Sequence, residues 1–497
     1  MKKIIASFIA VCMIIVPISV WAQLPGFSGG VNNEYEYEEM VFITGEPMKF
    51  TGTVEVKENE KDTEKTTTYT FKLKTPNGDK LDRKVDLETI YDKRNDKGQT
   101  IGQTTLKSFK ESIKIGKNKY ELLKDGGYEL SKSDIIDNRP ASDFYSGNLK
   151  ARKYYTFNKD EGEVIVEMTG GNVGYKNFWG GTETQILDYT ITSTKKANEK
   201  DKEEEDSTWS ATVKAQVSDS LSKTLKYSAN EASFSSFNGG HIRVTNEEMV
   251  TRYEYDLPRV KDDKIDNKRR NIGTVELKKE MVPKLERLVI PKFRDIGGHW
   301  AQGSINKLYS LDVFDENSSF FKPDVSFTRG EFVKAVMKAC NIRPTIQEEK
   351  KTKKRNAPKE KSVFQDIDIK DPIYPYVKDA VDKGLIQGIS KDLFGSKEPL
   401  TKAEAITVLI KALGFDSKAP APGFYTSFTD DREIPMWAKD SIYMAREINL
   451  VGGDSLNRIN PNKPITRAEA SVMLVRFLEF LQKDLQKDYR ENIINFH

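Results

Sequence analysis

Histidine and cysteine are the scarcest chemistry in this 497-residue sequence: 3 of the first and 2 of the second. Cys12 lies in an apolar N-terminal run, which leaves Cys340 alone in the remainder, so an internal disulfide is excluded there. His241, His299 and His497 are too few and too scattered for a histidine-based metal site or a nucleophile–His–acid triad. A surplus of one charge is also missing. The 79 Lys+Arg stand against 76 Asp+Glu, which argues against nucleic acid as the main partner. Apart from the N-terminal run, no stretch is apolar for long enough to span a membrane. Cofactor and catalytic fingerprints are weak. Gly170–Gly174 (GGNVG) follows a strand pattern, but no helix pattern follows to cradle a phosphate. Ser220-Leu-Ser-Lys223 is a short match to a nucleophile motif that recurs by chance. The many carboxylates show no spacing that singles out an acid pair. The reading is therefore no catalytic residues, no metal site and no cofactor, hence not an enzyme.

What the chain has is patterning. Lys2 and Lys3 precede an apolar core from Ile4 to Val20, and Val20-Trp21-Ala22 offers a cleavage site. Residues 1–22 thus read as a secretory signal, with no membrane span left after cleavage. Residues 23–290 alternate apolar and polar side chains in run after run, separated by turn residues. They read as a β-rich extracellular region of one or two antiparallel domains, sandwich or barrel-like, with a weak division near 115–150. The charged stretch 195–206 reads as a hairpin extension, and 256–271 as a charged loop. Trp179 and Trp209 fit a core better than a sugar-stacking surface.

The C-terminal part is organised by a repeated tetrapeptide: TRGE at 328–331, TKAE at 401–404 and TRAE at 466–469. Each copy follows a Phe-x-Asp opener, at Phe293, Phe364 and Phe428, and each starts an apolar helical run. Thr328, Thr401 and Thr466 are good N-caps, with Glu331, Glu404 and Glu469 three residues on: a capping box in every copy. The basic residue between them, Arg329, Lys402 or Arg467, has no such local explanation, because a helix start disfavours a cation. Two readings stand side by side. The cation is solvated or bridges to a neighbouring repeat, or it receives an anion. The repeats run 293–344, 363–415 and 428–481, joined by linkers 345–362 and 416–427 and followed by a charged tail, 482–497. Two helices per repeat cannot bury their own faces, so the three are expected to pack on one another.

Phe-x-Asp, Trp-Ala, a loop glycine and Thr-Arg-Ala-Glu, three times over, resemble surface-layer homology (SLH) repeats across about 293–481. The resemblance implies an all-α three-repeat module with pseudo-threefold symmetry. It also implies binding of a secondary cell wall polysaccharide on peptidoglycan, often pyruvylated, in grooves between repeats. Position by position, it implies ligand contacts from Arg329, Lys402 and Arg467, ring stacking by Trp300 and Trp437, loop glycines at Gly388 and Gly453, and Asp295, Asp366 and Asp430 as hydroxyl acceptors or turn caps. Repeat two carries Pro372 where the others carry Trp, and Lys402 cannot fork onto a carboxylate. In repeat one Glu316 stands at the glycine position. Arg467 and Arg329 are accordingly expected to carry most of the affinity. The function implied is a secreted, wall-anchored surface protein whose β-region is displayed or self-associates in a surface layer. The alternative is a wall-anchored carbohydrate-active or glycan-binding protein with its site in 23–290.

Overall fold

The computed structural model describes residues 29–197, 207–228, 240–261, 264–314, 318–344, 362–420 and 423–485. The expected signal 1–22, most of 195–206, Glu316, most of the linker 345–362 and the tail beyond Leu485 lie outside the described residues.

The strands are β1 (Val31–Asn32), β2 (Tyr37–Val41), β3 (Met48–Glu60), β4 (Glu64–Lys74), β5 (Lys80–Arg94), β6 (Gln99–Ile115), β7 (Asn118–Leu122), β8 (Tyr128–Asn138), β9 (Asp143–Phe157), β10 (Gly162–Lys176), β11 (Gly180–Lys195), β12 (Ser207–Ser228), β13 (Gly240–Lys261), β14 (Lys264–Glu280) and β15 (Lys284–Arg287). They form one antiparallel sheet that follows chain order, with β7 and β8 sharing the slot between β6 and β9, and β15 added to β13. The ends of this meander meet. Lys279 on β14 pairs with Glu36 and Glu38, the Val282 N–H donates to Glu34, and the Tyr253 hydroxyl donates to the Gly29 carbonyl. The result is a barrel-like closed sheet, which leaves few open edges. The strands that cover 115–150, β6 to β9, all belong to this one sheet. The charged segment 256–271, expected as a loop, is instead strand on both sides of 262–263, because its backbone completes the β13–β14 ladder while Arg259, Asp266, Arg269 and Arg270 are exposed.

Alternation decides which side chains fill the barrel. Leu81, Val85 and Leu87 on β5 and Trp209, Ala211, Val213 and Ala215 on β12 are buried. Arg83 falls on the same inward phase, and so do Glu39, Glu111 and Lys153. They meet in a buried ion cluster. Arg83 donates to both carboxylate oxygens of Glu39 at 2.8 and 2.9 Å and to Glu111 at 2.9 Å; Lys153 donates to Glu111 at 2.8 Å. The Tyr37 and Tyr155 hydroxyls donate to Glu39 and Glu111. Burial pushes the Glu111 carboxyl up, but Arg83 and Lys153 outweigh it and lower its pKa to about 2. Four strands thus share one electroneutral, hydrogen-bonded knot, and any register slip would strand a charge inside.

The C-terminal helices are α1 (Gln302–Ser310), α2 (Arg329–Ala339), α3 (Tyr374–Asp382), α4 (Lys402–Leu413), α5 (Met436–Glu447) and α6 (Arg467–Glu479), the last running into a π-turn over Phe480–Asp484. All three capping boxes form as expected. Phe327 packs edge-on against Phe332, ring centroids 6.0 Å apart, as a hydrophobic staple. One continuous core joins the three repeats, and it extends into the barrel through Ala141, Tyr175 and Trp179. The Trp179 indole N–H donates to the Ala339 carbonyl at 3.0 Å, and the Ala141 N–H to the Ala412 carbonyl at 2.9 Å. At the end of α4, Gly414 has φ +73°, and a Cβ there would press on Arg139 at 2.6 Å. Trp179 is therefore a core residue, and the core it belongs to is the seam between barrel and helices.

Candidate functional site: the interfaces between the helical repeats

The residue before each N-cap sits on the pseudo-threefold axis. Leu400 N–H donates to the Phe327 carbonyl, Ile465 N–H to Leu400, and Phe327 N–H to Ile465, at 3.0, 2.9 and 2.9 Å: a closed ring of three backbone bonds. Beyond the ring, each capped helix leans on the next repeat. The Arg329 and Gly330 N–H groups donate to Glu398 and Ser396, those of Lys402 and Ala403 to Lys463 and Pro461, and those of Arg467 and Ala468 to Val325 and Pro323. The first-turn N–H groups, which at an open helix start would invite an anion, are thus already used between repeats.

The basic residues follow the same cyclic order. Arg329 Nη1 pairs with Glu404 of the next capping box at 2.8 Å, its Nη2 donates to the Gln387 carbonyl at 2.6 Å, and its guanidinium lies over the Phe394 ring. Arg467 Nη1 pairs with Glu331 at 3.2 Å, its Nε donates to the Phe321 carbonyl, and it covers the Phe321 ring at 4.5 Å. Both arginines are buried. Repeat two breaks the pattern twice. Lysine replaces arginine at 402, and the Phe321/Phe394 position is Ile459, so there is no ring to cover. Among the described residues Lys402 forms no salt bridge. Glu469, its counterpart acid, is held instead by Lys463 at 3.4 Å. Burial and the neighbouring Lys463 lower the Lys402 pKa, while Glu469, Asp454 and Asp430 raise it from a distance.

The three opener aspartates act as turn caps. Asp295 accepts from the Phe321 and Lys322 N–H groups, Asp366 from Phe394, Gly395 and Ser396, and Asp430 from Ile459 and Asn460, at 2.7–3.1 Å. Burial raises the Asp295 and Asp366 pKa values, but these backbone donors win and hold both below the usual carboxylate range. The glycines are steric. A Cβ on Gly388 would sit 2.5 Å from the Ser390 carbonyl oxygen, and one on Gly453 2.7 Å from the Asn457 Cα. Trp300 and Trp437 are 65% and 58% exposed, so both rings are available to a partner. The structure also regroups these residues. Lys402 of repeat two faces the loop of repeat three that carries Gly453, and Arg329 of repeat one faces the loop that carries Gly388. Sequence reasoning placed Glu404 and Glu331 in capping boxes and offered a bridge to a neighbouring repeat as one reading of the cation, but it did not pair these acids with the arginines and it missed the rings beneath them. Their recurrence at one position per repeat was the available signal.

The family model for the S-layer homology domain matches residues 292–333, 363–406 and 427–471. The C-terminal part therefore carries three S-layer homology domains. Similar proteins include the exoglucanase XynX of Acetivibrio thermocellus, 26% identical over 189 residues, covering 38% of this chain and 16% of its own. The surface-layer 125 kDa protein of Lysinibacillus sphaericus is 28% identical over 119 residues, covering 23% of this chain and 10% of its own. The cellulosome-anchoring protein of Acetivibrio thermocellus is 34% identical over 98 residues, covering 20% and 22%. The chain thus spans less than a quarter of the length of each. Three S-layer homology domains, shared with surface-layer and cell wall proteins, mark a secreted, wall-anchored cell-surface protein.

Proposed function

We propose that the helical module holds the protein on the wall by binding an anionic secondary polysaccharide at the interface of repeats two and three, with the barrel displayed outward. The observation that carries this reading is Lys402. It is the basic residue of the three that is half-buried without a salt bridge among the described residues, beside a loop kept tight by Gly453. A carboxylate or ketal acid arriving there gains a charge-assisted contact without displacing an internal acid. At Arg329 and Arg467 the same ligand would have to evict Glu404 or Glu331. This reverses the order of importance expected from side-chain type alone. The exposed Trp300 and Trp437 rings suit the apolar faces of sugar units. The barrel has no assigned reaction in this reading, and the names of the glycosidase relatives do not carry over to it.

The test is co-sedimentation of the full chain with isolated cell walls, before and after acid removal of the secondary polymer. The full chain is used because Trp179 ties barrel and module into one core. Binding lost on stripping supports the reading; equal binding to bare peptidoglycan overturns it.

A further inference from the structure

Inside the barrel, at the end nearest the helical module, lies a cavity of about 240 Å³. Its wall contains a row built across three paired strands. Asp134 on β8 is in register with Gly147 on β9, which is in register with Asn172 on β10. A Cβ on Gly147 would lie 2.2 Å from Asp134 Oδ1, 2.6 Å from Asn172 Oδ1 and 2.6 Å from the Ser133 carbonyl oxygen across the strand pair. The glycine thus clears a niche into which two acceptor oxygens project. Both oxygens are buried and have no hydrogen-bond partner, and Asn172 as a whole is only 7% exposed. Orphaned buried acceptors are costly, so a site that keeps two side by side is shaped for a donor from outside.

The rest of the lining says what kind. Charges are matched in place: Lys65 with Glu58 at 2.9 Å and Lys132 with Asp134 Oδ2 at 3.0 Å. Glu183 is occupied by the Tyr145 hydroxyl and the Gln185 amide. Lys176 and Asp143 also line the wall, so four acids face three lysines: an anion finds no surplus lysine, and Glu183, the acid in excess, is already engaged. Tyr69, Tyr91 and Tyr145 contribute ring surface. Ring faces, paired ions and unmet acceptors together suit a neutral ligand with several hydroxyl donors and an apolar C–H face. The volume holds roughly eight waters at about 30 Å³ each, below the usual range for drug-sized ligands. We infer that the barrel is a receptor for a single neutral sugar ring, seated on the Asp134–Gly147–Asn172 row. This goes beyond wall anchoring and does not depend on it.

The test is titration of the full chain with glucose, galactose and N-acetylglucosamine, followed by calorimetry and by ligand-observed NMR. Millimolar or tighter binding of at least one sugar is expected. Asn172→Ala, which removes one of the two acceptors, should weaken that binding at least tenfold with unchanged circular dichroism, and Gly147→Ala, whose methyl also meets the Ser133 carbonyl, should weaken it as well. Lys402→Gln should leave it intact, which separates this site from the wall-binding interface. The inference falls if none of the three sugars binds, if Gly147→Ala binds as wild type, or if inorganic phosphate or calcium binds the row in their place.

Discussion

At the residue scale, the same side-chain type does different work depending on what faces it. Arg329 and Arg467 are clasps: each is stacked on a ring and paired with the capping-box glutamate of the next repeat. Arg329→Ala removes one partner of a mostly buried pair and the cation–π contact beneath it. It should cost about 1–3 kcal/mol of module stability, read as a lower melting temperature. Thr466→Ala should cost about 1 kcal/mol as a lost cap, with wall binding preserved once folded. Lys402→Gln should do the reverse. No internal pair is broken, so melting is unchanged, while sedimentation with walls falls at least tenfold. A variant that melts early but binds, beside one that binds poorly but melts normally, is the signature of this division of labour.

At the scale of elements, two buried acids give the barrel opposite pH responses. Glu111 in the ion cluster has its folded pKa lowered to about 2 from an ordinary 4.5. Its contribution is present above about pH 4.5 and is lost as the pH falls from there towards 2. The size is on the order of 3 kcal/mol, and Glu111→Gln should abolish that acid limb in a denaturant titration. Asp219 on β12 is raised from 3.8 to about 8 by burial and by the nearby Glu247 and Glu183. The folded state therefore holds a proton that the unfolded chain has released, and stability declines as pH rises from about 4 to 8. Asp219→Asn should match wild type near pH 4 and melt higher at pH 8.

What the sequence disclosed follows from range. The capping boxes, the Phe327–Phe332 staple and the strand alternation are local, and they are legible because neighbours a few residues apart decide them. The closure of the sheet, the ring of Phe327, Leu400 and Ile465, and the pairing of Arg329 and Arg467 with another repeat's glutamate are long-range, so the chain order does not display them. Arg83 between Leu81 and Val85 carried a readable sign, a charge on the inward phase of a strand, but its partners on β2 and β6 did not. Asp295, Asp366 and Asp430, which the sequence left open between hydroxyl acceptor and turn cap, each cap a turn through two or three backbone N–H groups that lie about 30 residues away in the chain.

At the scale of the whole molecule, barrel and helices share one seam, closed by Trp179. Trp179→Ala should cost about 3–5 kcal/mol. It should also expose Cys340, whose thiol is buried beside the seam and held up at about 12 by that burial. Thiol labelling of Cys340 should be slow in the wild type and fast in the variant. An anchor that is continuous with its cargo transmits wall attachment to the barrel without a hinge at this contact.

The central claim is that one unpaired lysine, and not the two arginines, receives the wall polymer. The most direct measurement is wall sedimentation of Lys402→Gln beside the wild-type chain, each checked for its melting temperature. The account predicts at least a tenfold loss of binding at an unchanged melting temperature, with Lys402→Arg restoring part of it. Wild-type binding by a folded Lys402→Gln protein would contradict it, and would return the anion to Arg329 or Arg467.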